Sequence, residues 1–254
     1  MNALLSVEEL GVSYGALVAL DGVSWSVGSG EILGIIGPNG AGKSSCYDAI
    51  TNLVRRRGRV ALAGEDVSFV PAHRLAERGL KRAFQQNAFF DGLTVLENMV
   101  AVLQDTHGTG LPSCVFAARS AARRRRRAAM DAAERLVRFG VPAEYLRFKP
   151  SDVPYGIQRM LSIALAFGSG ARVLLLDEPA AGLGGTDMSR LIDLLDGLRR
   201  EGLALVVIEH HMDLIMSVAD RIVVLDQGRM IATGTPRQIQ ADPRVLEAYL
   251  GRVQ

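Results

Sequence analysis

Residues 37–45, GPNGAGKSS, constrain the fold of this chain more than any other segment. An apolar run at 32–36 precedes them, and residues 46–54 can continue as a helix. The order of strand, glycine-rich turn and helix is that of a P-loop. Its glycines let backbone amides approach a phosphate closely, and the helix start adds free N–H groups. The segment therefore predicts an α/β fold that binds phosphates.

The side chains of this motif predict separate contacts with a nucleoside triphosphate. Lys43 supplies a point charge for the β- and γ-phosphates, and the Ser44 hydroxyl is placed to ligand Mg²⁺. The residues expected to hold the nucleotide here are Gly37, Pro38, Asn39, Gly40, Ala41, Gly42, Lys43, Ser44 and Ser45.

Two further polar sites follow predicted strands. Asp177 and Glu178 end the run VLLLDEP, and His210 follows the apolar residues 203–208. Ligands bind at the carboxyl ends of strands in open α/β sheets. We expect Asp177 to hold Mg²⁺, Glu178 to orient or deprotonate the attacking water, and His210 to contact the γ-phosphate. His211 is expected at the surface.

Charge and composition argue against several functions. The 254 residues include 29 basic and 27 acidic ones, a balance that does not indicate nucleic-acid binding. The basic run 123–127 is followed by Asp131 and Glu134 and has no interleaved aromatics. It predicts a solvated helix face, with attraction to anionic lipid as a second use.

The cysteine pattern is typical of a reducing compartment, and the apolar runs are too short to predict a membrane span. Cys46 and Cys114 lie far apart and form no metal or disulfide pattern, and Cys46 is expected in the core. The first residues lack a basic segment, so no signal peptide is expected. No apolar run approaches the roughly 20 residues needed to cross a bilayer.

Alternating segments predict the layout of the sheet. Residues 3–36 and 58–70 predict short strands punctuated by glycines, and residues 94–149 are helical in character. From residue 173 three short apolar runs alternate with helices. This alternation predicts a parallel sheet with helices on both faces.

Five features in this order and spacing resemble the ATP-binding subunits of ABC transporters: residues 37–45, Gln85, residues 153–159, residues 173–179 and His210. The resemblance covers essentially the whole chain. It implies a P-loop NTPase with a RecA-like parallel core, an N-terminal antiparallel β subdomain and an inserted α-helical subdomain. The core and β subdomain would comprise 1–88 and 167–254, and the helical subdomain 89–166.

The resemblance also implies roles for single residues. Tyr14 would stack on adenine, although by itself it could equally pack within a strand. Gln85 resembles the Q-loop glutamine, which touches Mg²⁺ and faces the membrane subunit, with Gln86 as the alternative register. The implied cofactors are ATP and Mg²⁺. The signature residues expected to contact the ATP of a paired chain are Pro154, Tyr155 and Gly156.

A narrower resemblance is to the branched-chain amino acid uptake group. It rests on FFDGLTVLENM, IEHHMDLIM, ADRIVVLDQG and ATGTPRQIQADPRVLEAYLG. It implies a second ABC ATPase subunit, two integral membrane permeases and a periplasmic or lipid-anchored solute-binding protein as partners, with no nucleic acid. The chain would lie at the cytoplasmic face of the inner membrane as a peripheral, import-driving ATPase. Urea and short-amide systems share much of this pattern, so the solute stays open.

The signature departs from the usual LSGGQ. Pro154 has neither the serine hydroxyl nor a backbone N–H, Ile157 replaces the glutamine, and Gly184 replaces a D-loop Asp or Asn. One interpretation is an asymmetric heterodimer, in which a partner with an intact signature completes the site on this chain. The other is subfamily drift with both sites active.

Two rival functions belong to other classes. A soluble ABC ATPase acting on DNA or the ribosome usually carries two modules or a long coiled coil, whereas this chain has one module and no heptad array. A nucleotide-binding scaffold with little turnover is the third possibility. The Asp177–Glu178 pair argues against it.

Overall fold

The computed structural model describes residues 3–83, 88–105, 118–168 and 170–250, with only the backbone described at 104, 105, 118–122, 124 and 250. The strands are β1 (Ala3–Tyr14), β2 (Leu17–Gly28), β3 (Ile32–Ile36), β4 (Arg57–Leu62), β5 (Glu65–Asp66), β6 (Leu80–Ala83), β7 (Val173–Asp177), β8 (Ala204–Ile208), β9 (Arg221–Asp226) and β10 (Arg229–Gly234). The helices are α1 (Lys43–Ile50), α2 (Ala72–Glu77), α3 (Val95–Asp105), α4 (Ala118–Arg138), α5 (Tyr155–Phe167), α6 (Gly185–Arg200), α7 (Met212–Val218), α8 (Pro236–Gln240) and α9 (Pro243–Leu250).

A six-stranded sheet forms the centre of the nucleotide-binding core, in the order β10-β9-β3-β8-β7-β6. The strands from β9 to β6 pair in parallel, and β10 pairs antiparallel with β9. All residues of β3, β7 and β8 are buried, as expected for a sheet covered on both faces. Because β3, β8 and β7 are neighbours, their carboxyl ends lie side by side at one edge. The predicted parallel core is confirmed.

A second sheet, of four strands in the order β2-β1-β4-β5, is antiparallel. It is the predicted N-terminal β subdomain. Two of its strands are longer than the sequence predicts, since β1 and β2 each have 12 residues. Gly11 and Gly22 lie within them, where the β1–β2 register shifts at several points. Here the glycines accommodate bulges and do not end the strands.

Contacts divide the chain into two compact units. The first comprises Met1–Gln85, Ala171–Ala181 and Leu191–Gln254, and the second comprises Gln86–Gly170 and Gly182–Arg190. The second unit contains α3, α4 and α5, and its buried residues include Phe139, whose ring centroid lies 5.1 Å from that of Phe167. None of the helices in the described ranges is long and apolar enough to span a bilayer.

The P-loop helix is shorter than the sequence predicts. Helix α1 ends at Ile50, not near residue 54, because Asn52 adopts a left-handed conformation with a φ of 56°. The Asn52 side chain donates hydrogen bonds to the carbonyls of Val67 (2.9 Å) and Val70 (2.7 Å). These contacts tie the end of the helix to the segment after β5, and that segment is a turn where the sequence predicts strand.

Candidate functional site

The turn between β3 and α1 has the backbone of a phosphate-binding loop. Gly40 and Gly42 have φ values of 82° and 99°, which side-chain-bearing residues rarely adopt. A Cβ on Gly37 would lie 2.1 Å from the Leu225 carbonyl oxygen, so only glycine fits there. The Gly228 amide, in the β9–β10 turn, donates to the Ala41 carbonyl at 3.1 Å. The loop is therefore held open by its own glycines and by a neighbouring hairpin.

Lys43 lies at the first turn of α1 with its ammonium folded over the loop. Its Nζ donates to the carbonyls of Gly37 (2.7 Å) and Pro38 (3.0 Å). Burial lowers the pKa of Lys43, while the charges of Glu178 and Asp177 oppose that shift. A bound phosphate would add negative charge beside this buried ammonium and favour its protonated form.

A cavity of about 530 Å³ opens over the loop. One wall is apolar and formed by Tyr14, Leu17 and Val18, which are 47%, 66% and 52% exposed. Tyr14 ends β1 with about half of its surface exposed, so its ring is accessible from the cavity. The rest of the lining includes the P-loop and Glu178. Apolar side chains beside the backbone amides of the P-loop suit a nucleotide, with its base against Tyr14, Leu17 and Val18 and its phosphates in the loop.

Asp177 is buried at the end of β7 beside a cation that the sequence did not reveal. Its Oδ2 lies 3.1 Å from the guanidinium of Arg82, which also contacts Asp48 at 2.6 Å. Burial raises the pKa of Asp177, and the charge and hydrogen bond of Arg82 oppose the shift. Arg82 comes from β6 and Asp48 from α1, so the group is assembled from three distant segments.

Glu178 and His210 face each other across the ends of β7 and β8. The Nδ1 atom of His210 lies 3.5 Å from Oε1 of Glu178. Glu178 has a φ of 46°, a left-handed conformation unusual for a residue other than glycine, and its amide donates to the Ile208 carbonyl at 2.9 Å. The His210 side chain is 51% exposed and accessible to a ligand. His211 is half-buried and precedes α7, so its predicted surface position is only partly correct.

Sequence reasoning missed several residues around this site. Glu209 is fully buried between the two loops, although an acid next to a histidine at a strand end is usually exposed. Gln227 and Gly228 line the cavity from the β9–β10 turn. A Gln-Gly pair after an apolar run is a turn signal, but nothing local indicates that the turn meets the P-loop.

The signature residues lie in the second unit, at the start of α5. Pro154 and Tyr155 are exposed, whereas Gly156 and Ile157 are buried, with Ile157 only 3% exposed. A Cβ on Gly156 would lie 2.2 Å from Oδ2 of Asp187. Ile157 is therefore a packing residue, and a carboxylate lies against Gly156.

Gln85 and the alternative Gln86 lie outside the described residues, as does Cys114. Cys46 is in the core as expected, and burial raises the pKa of its thiol to about 12. The donors at the site suit Mg²⁺, since Ser44 lines the cavity, Asp177 ends β7 at the same edge of the sheet, and Mg²⁺ takes few protein oxygens beside phosphates. In the described ranges no cluster of three or more His, Cys, Asp or Glu could hold a metal independently.

Comparison with known proteins agrees with this geometry. The profile of the ABC transporter family matches residues 20–181, which include the P-loop, Asp177 and Glu178. The chain belongs to the ABC transporter family. It is an ATP-binding cassette ATPase, as the sequence predicts. A second profile, that of the branched-chain amino acid ATP-binding cassette transporter, matches residues 229–253.

Curated relatives cover nearly the whole chain. The high-affinity branched-chain amino acid transport ATP-binding proteins BraF of Pseudomonas aeruginosa and LivG of Escherichia coli are each 36% identical over 250 residues, with 98% of both chains covered. The lipopolysaccharide export system ATP-binding protein LptB of Haemophilus influenzae is 32% identical over 251 residues, again with 98% of both chains covered.

Solved cassettes share the fold. The ADP conformation of MJ1267, an ATP-binding cassette of an ABC transporter, matches with a TM-score of 0.83 and 25% identity, over 99% of this chain and 100% of that one. A nucleotide-free ATP-binding cassette from an ABC transporter matches with a TM-score of 0.80 and 26% identity, over 98% and 100% of the two chains. The predicted P-loop NTPase fold is confirmed.

Proposed function

We propose that this chain powers import of branched-chain amino acids, or of related small amino acids and amides, through an ABC transporter. The observation that carries the proposal is the similarity to BraF and LivG over 98% of each chain, together with the branched-chain profile at residues 229–253. The similarity to LptB, at 32% identity, supports lipopolysaccharide export as the alternative cargo.

The geometry of the site supports a distinct role for each of its residues in ATP hydrolysis. The amides of the P-loop and the Lys43 ammonium would hold the phosphates, and Tyr14 would stack on the base. Ser44 and Asp177 would hold Mg²⁺, which supplies charge neutralisation at the phosphates when bound. Glu178 would orient the attacking water and accept its proton, and His210 would contact the γ-phosphate. Gln85 is proposed to link the site to a membrane subunit.

Two substitutions test these roles in the intact transporter complex. Lys43→Ala should abolish ATP turnover by removing the phosphate-binding charge. Glu178→Gln should retain ATP binding and lower kcat by a hundredfold or more, because an amide cannot accept the proton of the water. Retained transport in the Lys43 variant would refute its assignment, and retained turnover in the Glu178 variant would refute the assigned base.

The solute is tested with the transporter reconstituted in vesicles. The chain would act as a peripheral subunit at the cytoplasmic face of the inner membrane, with two permeases and a periplasmic or lipid-anchored binding protein. We expect leucine, isoleucine or valine to stimulate ATP hydrolysis when the binding protein is present. Stimulation by lipopolysaccharide instead, with none by these amino acids, would favour export. The Lys43→Ala variant, which should show no ATP-dependent uptake, serves as the control.

We further propose that the nucleotide sites of the assembled transporter are unequal. This chain retains the groups that serve its own nucleotide, while its signature offers a proline, a buried isoleucine at 157 and a carboxylate beside Gly156. A second, different ATPase with an intact signature would complete the site on this chain. Glu178→Gln should therefore reduce ATPase activity far more than the matching change in the partner. Equal losses from the two changes support subfamily drift with both sites active.

A further inference from the structure

Glu209 has a side chain with no solvent exposure, in the connection between β8 and α7. Burying a carboxylate costs several kcal/mol unless hydrogen bonds replace its hydration. Asp177, the other buried acid among the described residues, lies beside an arginine in the nucleotide site. The cost of burying Glu209 is offset in a different way, through backbone amides.

Three backbone N–H groups from two loops donate to the Glu209 carboxylate. The Ala180 amide donates to Oε1 at 2.7 Å, from the loop that follows β7. The amides of His210 and His211 donate to Oε2 at 3.0 and 3.1 Å, from the loop that follows β8. Hydrogen bonds to an ionised acceptor are the stronger ones in proteins, and here one carboxylate joins two loops.

Both loops carry a residue of the proposed hydrolysis site. Ala180 lies two residues after Glu178, and the adjacent Ala181 amide donates to the Glu178 carbonyl at 3.1 Å. His210 is itself one of the donors. Glu209 therefore binds the backbone of both loops that bring His210 Nδ1 and Glu178 Oε1 within 3.5 Å of each other.

We infer that Glu209 is a positioning residue for ATP hydrolysis, which sets the relative placement of Glu178 and His210 from beneath the site. The inference rests on the proposed roles of those two residues. Glu209 is buried and would not touch the nucleotide itself. A displacement of about 1 Å at a reacting group can cost a hundredfold in rate. A residue that fixes the positions of both Glu178 and His210 is therefore expected to have a large effect on kcat.

The chemistry of these contacts makes Glu209→Gln a disruptive change despite its equal size. The three hydrogen-bond partners of the carboxylate are all N–H donors, and Nδ1 of His210 lies 3.9 Å from Oε2. The amide NH₂ of a glutamine must therefore face an N–H in either of its orientations. One loop then loses its anchor. Glu209→Asp keeps the charge and both acceptors but is one methylene shorter, which reduces its reach to Ala180.

The experiment measures kcat and ATP affinity in the transporter complex, with and without His210. Glu209→Gln should lower kcat about 10- to 100-fold and change the Kd for ATP less than threefold, since Lys43 and the P-loop are untouched. In a His210→Ala background Glu209 still positions Glu178, so the same change should cost less, about three- to tenfold in kcat.

Glu31→Gln is the matched control. Glu31 is another carboxylate that accepts a backbone N–H, from Gly28 at 2.7 Å, and it pairs with Arg221 at 2.8 Å. It precedes β3, at the opposite end of that strand from the P-loop. We expect this variant to lower the melting temperature and leave kcat unchanged.

Two results would overturn the inference: an unchanged kcat in folded Glu209→Gln, or an equal cost of that change with and without His210. If Glu209→Gln does not fold, Glu209→Asp takes its place, with an expected three- to tenfold loss of kcat and the same two contrary results. Failure of the proposed function is distinct, because it would be seen as undiminished turnover in Glu178→Gln with Glu209 intact.

Discussion

Arg82 pairs with two carboxylates, of which only Asp177 is proposed to bind the metal ion. Asp177 ends β7 at the nucleotide site, and Asp48 lies on the P-loop helix, with the guanidinium 3.1 and 2.6 Å from them. The Arg82 side chain is only 11% exposed, so water screens these contacts weakly. Asp48 draws part of the arginine charge away from Asp177, and it thereby leaves Asp177 with more negative potential for a bound cation.

Asp48→Asn should weaken Mg²⁺ binding without removing any ligand. The arginine would then pair with Asp177 alone and compete more strongly with the metal. We expect the Mg²⁺ concentration for half-maximal ATPase activity to rise about three- to tenfold, which corresponds to roughly 1 kcal/mol, with recovery in excess Mg²⁺. Fluorescent-nucleotide binding titrated with Mg²⁺ gives a second readout. The control is Asp66→Asn, which removes an exposed pair with Arg59. An unchanged Mg²⁺ requirement for Asp48→Asn would contradict this view of the network.

Local sequence was sufficient for some site residues and insufficient for others. The P-loop, Asp177 and Glu178 are recognisable because strand, turn and polar residues are contiguous in the chain. Arg82 and Glu209 are not, because their contacts form only where separate segments meet. Arg82 reads as an ordinary strand residue until α1 and β7 are placed beside it.

The helices and strands differ from their sequence prediction for similar reasons. Apolar runs identify β3, β7 and β8 because strands buried on both faces carry their whole signal in their own residues. The end of α1 depends on Asn52 bonding to carbonyls 15 and 18 residues away, which no local pattern encodes. In β1 and β2 the glycines predict strand ends, whereas the strands continue past them with shifts in the β1–β2 register.

Helix α5 meets the start of α6 at Gly156, where an added Cβ would meet the Asp187 carboxylate. Gly156→Ala would gain about 1 kcal/mol in helix propensity, but its Cβ would lie 2.2 Å from the Asp187 carboxylate. The Asp187 carboxylate must then shift and weaken its pair with Arg190, so we expect a net cost of up to about 1 kcal/mol in unfolding free energy, measured by urea denaturation. Gly197→Ala in α6 meets nothing within 4 Å and should instead stabilise the protein.

A double-mutant cycle separates this clash from a general effect on α5. Combining Gly156→Ala with Asp187→Ala removes the obstructing carboxylate, so the glycine substitution should then cost little or become favourable. Additive losses in the double variant would mean that the Asp187 carboxylate is not the obstacle.

The whole chain carries the groups proposed to act on its own nucleotide, whereas its signature side presents few hydrogen-bond donors. On the signature side Pro154 has no N–H, Ile157 is buried, and Gly184 has no side chain. Asp187 adds a negative charge beside Gly156, only partly neutralised by Arg190 at 3.1 Å. A phosphate bound to another subunit would meet fewer hydrogen-bond donors here than at an LSGGQ signature. It would also meet the negative charge of Asp187.

ATP should therefore drive this chain to pair with a different ATPase and not with itself. In the Glu178→Gln background, which slows turnover, we expect sedimentation with ATP and Mg²⁺ to show a monomer for the chain alone and a heterodimer once the partner ATPase is added.

Asp187→Asn removes the like charge and should strengthen any ATP-dependent self-association about two- to tenfold, more so at low salt. Asp193→Asn, an exposed change on the same helix, should have no such effect. A stable ATP-dependent homodimer of the unmodified signature would contradict the asymmetric assembly, and equal behaviour of the two Asp variants would exclude Asp187 as its cause.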